Sequence, residues 1–298
     1  MFKTIINAWK IADLRKKMLF TALIVFIFRL GAALPVPFVN ISGGLISDQN
    51  ANNFMTYLSM MTGDAFNYGT LFAMSITPYI NASIIIELLT VAIPALERLA
   101  KEGEEGRKKI STITRYSSVV LALMQSTAYY FYIRSQNYLS LDADGNKFTG
   151  FFAVLQAITI IFCYTAGASL IMWLGEQINE KGIGNGISII LFAGIVSRMP
   201  TTLYSLYSYM DKGGAYYALA PIAFVSLILM IGFIVWMDNA ERRIPVQYAK
   251  RVVGRKMYGG QSTHIPIKVN MCGVLPIIFA SSILSLPPTI QMFVTVKE

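Results

Sequence analysis

The sequence is poor in charge. Asp, Glu, Lys and Arg make up 14% of its 298 residues, whereas soluble domains carry roughly 25%. Hydrophobic residues make up 55%, and the mean hydropathy is +0.54. This balance excludes an ordinary soluble domain and predicts a polytopic membrane protein, because most of the surface must face lipid.

Residues that form disulfides or bind metals are also scarce. The two cysteines, Cys163 and Cys272, both lie in apolar runs, and His264 is the single histidine. Two separated thiols and one imidazole provide neither a disulfide framework nor the spacing of metal ligands. We therefore expect buried structural thiols, no metal, no cofactor and no catalytic residues.

Seven apolar runs are each near the ~20 residues that a spanning helix needs. They cover residues 18–38, 71–96, 112–133, 151–174, 183–204, 216–237 and 269–296. No cleavage pattern of a secretory signal precedes the first run, so we expect this run to remain as an anchor. Arg29 lies inside it, where a charge is costly, and is expected to face protein or water rather than lipid.

Lys and Arg are distributed unevenly among the connections. When alternate connections are assigned to opposite sides of the membrane, the side of the N-terminal arm carries 19 of them and the other side 5. Cytoplasmic loops carry the excess of positive charge. The pattern predicts that the N-terminus is cytoplasmic.

A short polar stretch precedes the second run. Residues 54–69 read FMTYLSMMTGDAFNYG, which is too short and too polar to cross a bilayer. Irregular backbone at membrane depth is tolerated only where protein buries it or where it lines a wet cavity. The stretch therefore predicts a path through the membrane, with the short piece sitting in that path.

Two aliphatic pairs have a spacing of four residues. Ile76 and Ile80 flank Pro78, which should bend the second helix or mark its true start. Ile187 and Leu191 form the second pair, in the fifth run. Residues four apart share one face of a helix, so each pair should present its side chains together.

The connection before the fifth run contains three glycines in GIGNG, residues 182–186. A nucleotide-binding loop is the wrong interpretation, because such a loop follows a strand and this one follows a membrane helix. We predict a tight cytoplasmic turn in which Asn185 or Ser188 caps the fifth helix.

The connection between the sixth and seventh runs has about thirty residues and is strongly basic, and a loop of this length is more often functional than idle. It has a hairpin-like break at Gly259–Gly260. It could bind acidic phospholipid, nucleic acid or an acidic protein surface, and charge alone does not choose among these.

Three stretches are specific enough to indicate a family: SITPYINASIIIELL (75–89), MWLGEQINEKGIGNGISIILFAGI (172–195) and ERRIPVQYAKRVVGRKMYGGQSTHIPIKVN (241–270). They resemble the SecY family, the channel subunit of the bacterial Sec translocase. The resemblance implies an all-α polytopic bundle of ten membrane helices in two halves, of which this chain carries about seven. Residues 1–210 would form the N-terminal half, with helices 1–5 and a plug half-helix near 54–67. Residues 211–298 would begin the C-terminal half, with helix 6, a cytoplasmic basic loop at 238–270 and helix 7.

The resemblance also implies a function, a protein-conducting channel that is not an enzyme. It would move unfolded secretory proteins across the membrane and release membrane segments sideways into lipid. The pore ring would consist of Ile76, Ile80, Ile187, Leu191 and Ile278. The polar cluster of the lateral gate would consist of Asn81, Gln125 and Asn270. The residues that dock SecA or the ribosome would be Arg242, Arg243, Lys250, Arg251 and Arg255. The plug would include Phe54, Tyr57, Met60, Met61 and Phe66.

Partners and location follow from the same resemblance. The implied partners are the SecE and SecG subunits, the SecA motor ATPase, the ribosome through protein and rRNA, signal peptides, nascent chains, YidC, SecDF and membrane lipids. The implied location is the bacterial plasma (inner) membrane, with several spans.

Two other functions remain open on the residues alone. A secondary transporter also uses broken helices around a midplane site, for which Glu87 or Arg29 could serve. A receptor or assembly factor could bind ribosomes without conducting anything, although it would not need two aliphatic pairs on separate helices.

Overall fold

The computed structural model describes residues 9–41, 43–45, 59–60, 62–140, 148, 150–211, 216–246, 251–253, 256–258, 263–270, 273, 280 and 284. The chain divides into two compact units, Met1–Pro200 with Ser282–Glu298, and Thr201–Ser281. Most of the predicted seventh span and the first eight residues of the N-terminal arm lie outside the described residues.

Most of the described chain is helical. The helices are α1 (Ala12–Gly31), α2 (Thr77–Ala92), α3 (Pro94–Lys101), α4 (Glu104–Ser135), α5 (Phe151–Lys181), α6 (Gly186–Ser197), α7 (Met199–Asp211) and α8 (Tyr216–Asp238). Within the described residues, three stretches are long and apolar enough to cross a membrane: Phe151–Lys181, Gly186–Asp211 and Leu219–Asp238. The bent pair of α2 and α3 would make a fourth. Helices α1 and α4 cover two further predicted spans.

The predicted span at residues 71–96 is not one helix. Helix α2 begins only at Thr77, with Pro78 in its first turn, and ends at Ala92. Ile93 has extended backbone, and α3 leaves at an angle of 101°. Proline lacks an N–H donor and disfavours helical backbone in the residue before it, so Pro94 ends α2. The first span also differs, because α1 ends at Gly31 rather than at residue 38.

Two clusters form the core of the first unit. One contains the Tyr129 ring between Phe66 and Tyr164, with ring centroids 4.8 Å and 5.1 Å away. The Tyr129 hydroxyl donates to the Phe66 carbonyl (2.5 Å), and the Tyr164 hydroxyl donates to the Gly69 carbonyl (3.0 Å). Buried carbonyls need such partners, so α4 and α5 fix the chain just before α2.

The basic connection of the second unit contains short strands that the sequence did not predict. Strand β1 (Glu241–Val246) pairs antiparallel with β4 (Thr263–Lys268), and β2 (Arg251–Val253) pairs antiparallel with β3 (Lys256–Tyr258). The predicted hairpin break at Gly259–Gly260 is wrong: residues 254–255 join the paired strands β2 and β3, whereas 259–260 lie between β3 and β4. Pro245 and Pro266 are tolerated because a two-stranded sheet has only edge strands.

Candidate pore and plug

Four of the predicted ring residues meet in the second core cluster. Ile76 is a member of this cluster at 1% exposure, and Ile80, Ile187 and Leu191 are half-buried and pack against it. Ile80 lies one turn after Ile76, since its amide donates to the Ile76 carbonyl at 3.1 Å. The pairs thus come together from α2 and α6. Of these four residues, Ile80, Ile187 and Leu191 keep solvent-accessible surface, whereas Ile76 is part of the packed core.

The start of α6 orients the second pair. The Asn185 side chain accepts hydrogen bonds from the amides of Ile187 (3.0 Å) and Ser188 (3.3 Å), and Asn179 accepts one from Gly186 (2.7 Å). These bonds satisfy amides that lack partners inside the helix. Of the two predicted caps, Asn185 is therefore the one that the structure uses.

The predicted plug residues lie in different environments. Phe66 is buried in the first cluster, whereas Met60 is exposed. Ala65, which precedes Phe66, belongs to the second cluster, together with Ile76. Part of the predicted plug thus belongs to the same core cluster as the predicted ring residues. The other predicted plug residues lie outside the described part of the chain: Phe54, Tyr57 and Met61.

Polar contacts attach the same segment to α6 and α1. The Arg198 Nε atom, just after α6, lies 2.9 Å from Oδ2 of Asp64. The Ser59 hydroxyl donates to Oδ1 of Asp64 at 2.9 Å. From α1, the Arg29 guanidinium donates to the Gly63 carbonyl at 3.4 Å. Arg29 is exposed overall, and this hydrogen bond directs its guanidinium toward the turn at residues 63–64.

Gly63 allows a close approach between this segment and α6. Its φ is +65°, and a Cβ at this position would lie 2.6 Å from the Ser197 hydroxyl oxygen and 2.7 Å from the Gly194 carbonyl oxygen. Such distances are too short for a side chain. Only glycine fits both this backbone conformation and this space.

The predicted lateral-gate residues lie on three elements. Asn81 is on α2 and Gln125 on α4, both half-buried, and these two helices pack against each other. Asn270 is exposed in the second unit, where its amide group lies 3.5 Å from Asp238 and its carbonyl oxygen accepts from the Gly273 amide.

The predicted docking residues are partly described. Arg242 and Arg243 are exposed on β1, opposite Ile267 and Pro266 of β4. Arg251 begins β2. Lys250, Arg255 and the ring residue Ile278 lie outside the described residues. Among the residues that are described, no three His, Cys, Asp or Glu side chains are grouped so that they could hold a metal ion.

Comparison with known proteins identifies the family. A family model described as SecY matches residues 70–297. The chain belongs to the SecY family. It is 42% identical to protein translocase subunit SecY of Streptomyces scabiei, over 98% of this chain and 68% of that protein. It is 44% identical to the same subunit of Corynebacterium glutamicum, over 97% of this chain and 65% of that protein. The chain thus spans about two thirds of the length of these curated SecY relatives.

Solved structures of the SecY type share the fold. A structure described as a protein conducting channel superposes with a TM-score of 0.64 at 18% identity, over 95% of this chain and 59% of that chain. Sec61 from the canine ribosome–channel complex of the endoplasmic reticulum gives a TM-score of 0.62 at 17% identity, over 95% and 59%. The predicted SecY-type helical fold is confirmed, and the chain is a multi-pass membrane protein. SecY is a family of channels and not of enzymes, as predicted.

Sequence reasoning overlooked two ion pairs in this SecY chain. One joins Asp64 to Arg198, and the other joins Arg115 of α4 to Glu176 of α5, with 2.6 Å between Nε and Oε1. The count of charges by side places Arg198 among the five on the side opposite the N-terminal arm, and Asp64 lies in the predicted plug, but these two facts do not pair the residues. Of the two residues considered for a transporter site, Glu87 is exposed on α2 and Arg29 donates to the Gly63 carbonyl.

Proposed function

We propose that this chain is a protein-conducting channel subunit that moves unfolded secretory proteins across the membrane and releases membrane segments sideways into lipid. The names of its curated relatives, protein translocase subunit SecY, support this function. One structural observation carries the proposal. Aliphatic residues of α2 and α6 meet in one core cluster, and Ala65 of the predicted plug belongs to the same cluster.

The chemistry of this cluster suits a constriction that closes reversibly. Ile80, Ile187 and Leu191 offer bulky apolar surface and no fixed hydrogen bonds. A narrow apolar passage impedes ions because water leaves it. The same side chains can yield to a passing polypeptide, since no polar contact has to be broken. Ile278 would complete the ring from the seventh predicted span, residues 269–296.

The ring is tested by the substitution Ile80→Asn. A polar amide in the constriction should hold water, so the closed channel should leak ions. Leakage is measured as conductance in planar bilayers that contain the channel with its partner subunits. Ile85→Asn is the control, because Ile85 lies on the same helix with an exposed side chain. Conductance equal to that of the parent protein in the Ile80 variant would contradict the ring.

The lateral exit would use the polar residues Asn81, Gln125 and Asn270. Asn81 and Gln125 lie on packed neighbours, α2 and α4. Polar side chains at a helix interface in lipid bond to each other only modestly, at ~0.6 kcal/mol on average. The two helices can therefore separate when the apolar segment of a signal sequence binds between them, which is what a lateral gate requires.

The basic strand β1 would dock the motor or the ribosome on the cytoplasmic side. Arg242 and Arg243 are exposed there, and guanidinium groups bind phosphate and carboxylate well. Lys250, Arg251 and Arg255 would extend this surface. SecA and ribosomal RNA are the proposed partners at this surface, SecE and SecG the proposed subunits, and a bacterial plasma membrane the proposed location.

Reversing the charge of Arg242 and Arg243 to Glu should weaken docking to the motor or the ribosome. If the contact is to RNA phosphates, the double variant should also lower the salt slope of binding by about 2, one for each lost phosphate contact. Binding is measured by cosedimentation over a range of salt concentrations. Lys181→Glu is the control, an exposed cation before α6 on the same predicted side. Unchanged binding at low salt would count against the docking surface.

A further inference from the structure

We propose that Asp64 and Arg198 form an electrostatic latch that holds the plug segment, here residues 59–60 and 62–69, against the end of α6 and sets how readily the channel opens. The inference rests on the proposed channel function. It assigns a positioning role to two charged residues that the predicted ring, gate and docking surface do not include.

The latch is a network of three side chains. Arg198 reaches Oδ2 of Asp64 through Nε (2.9 Å) and the Ser59 hydroxyl through Nη1 (3.4 Å). Ser59 in turn donates to Oδ1 of Asp64 at 2.9 Å. Both carboxylate oxygens are thus engaged, one by a cation and one by a hydroxyl. This arrangement fixes the orientation of Asp64 relative to α6.

A second cation supports the same turn from α1. Arg29 donates to the Gly63 carbonyl at 3.4 Å, and Gly63 itself lies against Gly194 and Ser197 of α6. The turn at residues 63–64 is therefore attached to α1 and α6 by two arginines. A carboxylate at position 64 offsets the positive charge that these arginines bring together.

The two ends of the segment are held in different ways. Residues 66–69 are fixed by the buried hydroxyls of Tyr129 and Tyr164. The Asp64 and Arg198 side chains, in contrast, are 23% and 28% exposed. Pairs that water reaches are weaker and are screened by salt. The Asp64–Arg198 pair should therefore open more readily than the buried tyrosine contacts, which makes it a reversible contact.

The latch is tested by hydrogen exchange on the full chain with its partner subunits in lipid nanodiscs. In Asp64→Asn and Arg198→Gln the charge is lost, whereas Asp64→Glu and Arg198→Lys keep it. Glu97→Gln breaks the exposed Lys101–Glu97 pair of α3 and is the matched control. In the two charge-removing variants, amides of residues 62–65 should exchange about two- to tenfold faster. The charge-keeping variants should retain more protection, and the control should match the parent.

Salt and transport provide independent readouts. Raising the salt concentration should speed exchange at residues 62–65 in the parent and leave Asp64→Asn unaffected, because only the parent has the ion pair to screen. Asp64→Asn should also transport a substrate whose signal sequence is weakened. Parent-like exchange in both charge-removing variants would overturn the latch. Loss of protection throughout α5 would overturn it too, because the pair would then stabilise the whole fold. Absence of transport by the parent would reject the proposed channel function. The exchange measurements would still show whether the ion pair holds the plug segment.

Discussion

Gly63 is a residue whose backbone and surroundings both require glycine, and the two requirements can be separated. Gly63→Ala would strain a left-handed backbone and force a Cβ against Gly194 and Ser197 of α6. We expect the variant to lose about 2–5 kcal/mol of unfolding free energy, from strain and overpacking together, measured by unfolding in detergent. Gly103 also has a positive φ (+82°), but no atom lies within 4 Å of the position that a Cβ would take there. Gly103→Ala should therefore lose only the strain of its own backbone (φ +82°, ψ −137°), about 1–3 kcal/mol. Equal losses would contradict the close approach.

Single residues also show where sequence reasoning stops. A charge in an apolar run must find a partner, so Arg29 could be expected to face protein, although not that its partner would be the Gly63 carbonyl. Asp64 and Arg198 form a pair only because the fold brings two distant segments together. Burial of Ile76 was not foreseeable either, since spacing gives the shared face but not the depth of packing.

At the scale of elements, the cap of α6 determines how the second aliphatic pair is presented. Asn185→Ala removes the acceptor for two amides of the first turn. We expect the variant to lose about 0.5–2 kcal/mol of unfolding free energy, with faster hydrogen exchange at the start of α6. Ser188→Ala is the comparison, because Ser188 contributes its backbone amide to this cap, and that amide remains in the variant. An equal effect of both substitutions would contradict the assignment of the cap to Asn185.

Elements were predicted well where one continuous apolar run forms one helix. The runs that became α5 and α8 start where the prediction placed them, and α8 continues through Pro221. The prediction of one helix from the second run was wrong, because an average hydropathy does not register Pro94, which ends the helix and redirects the chain. The strands of the basic connection were missed because their residues carry the charge of a loop. The pairing of β1 with β4 also joins residues that are far apart in the sequence, such as Glu241 and Lys268.

For the whole molecule, the uneven distribution of Lys and Arg makes a prediction about sidedness. Helix α4 has 32 residues, so at ~1.5 Å per residue its ends can lie on opposite sides of a bilayer. Lys101, the exposed last residue of α3, precedes it, and Gln136 follows it, also exposed. In a background without Cys163 and Cys272, Gln136→Cys should react with an impermeant maleimide in intact cells. Lys101→Cys should react only after the membrane is permeabilised, because cytoplasmic loops carry the excess of positive charge. The reverse pattern would place the N-terminus outside and the basic strand β1 away from any cytoplasmic motor.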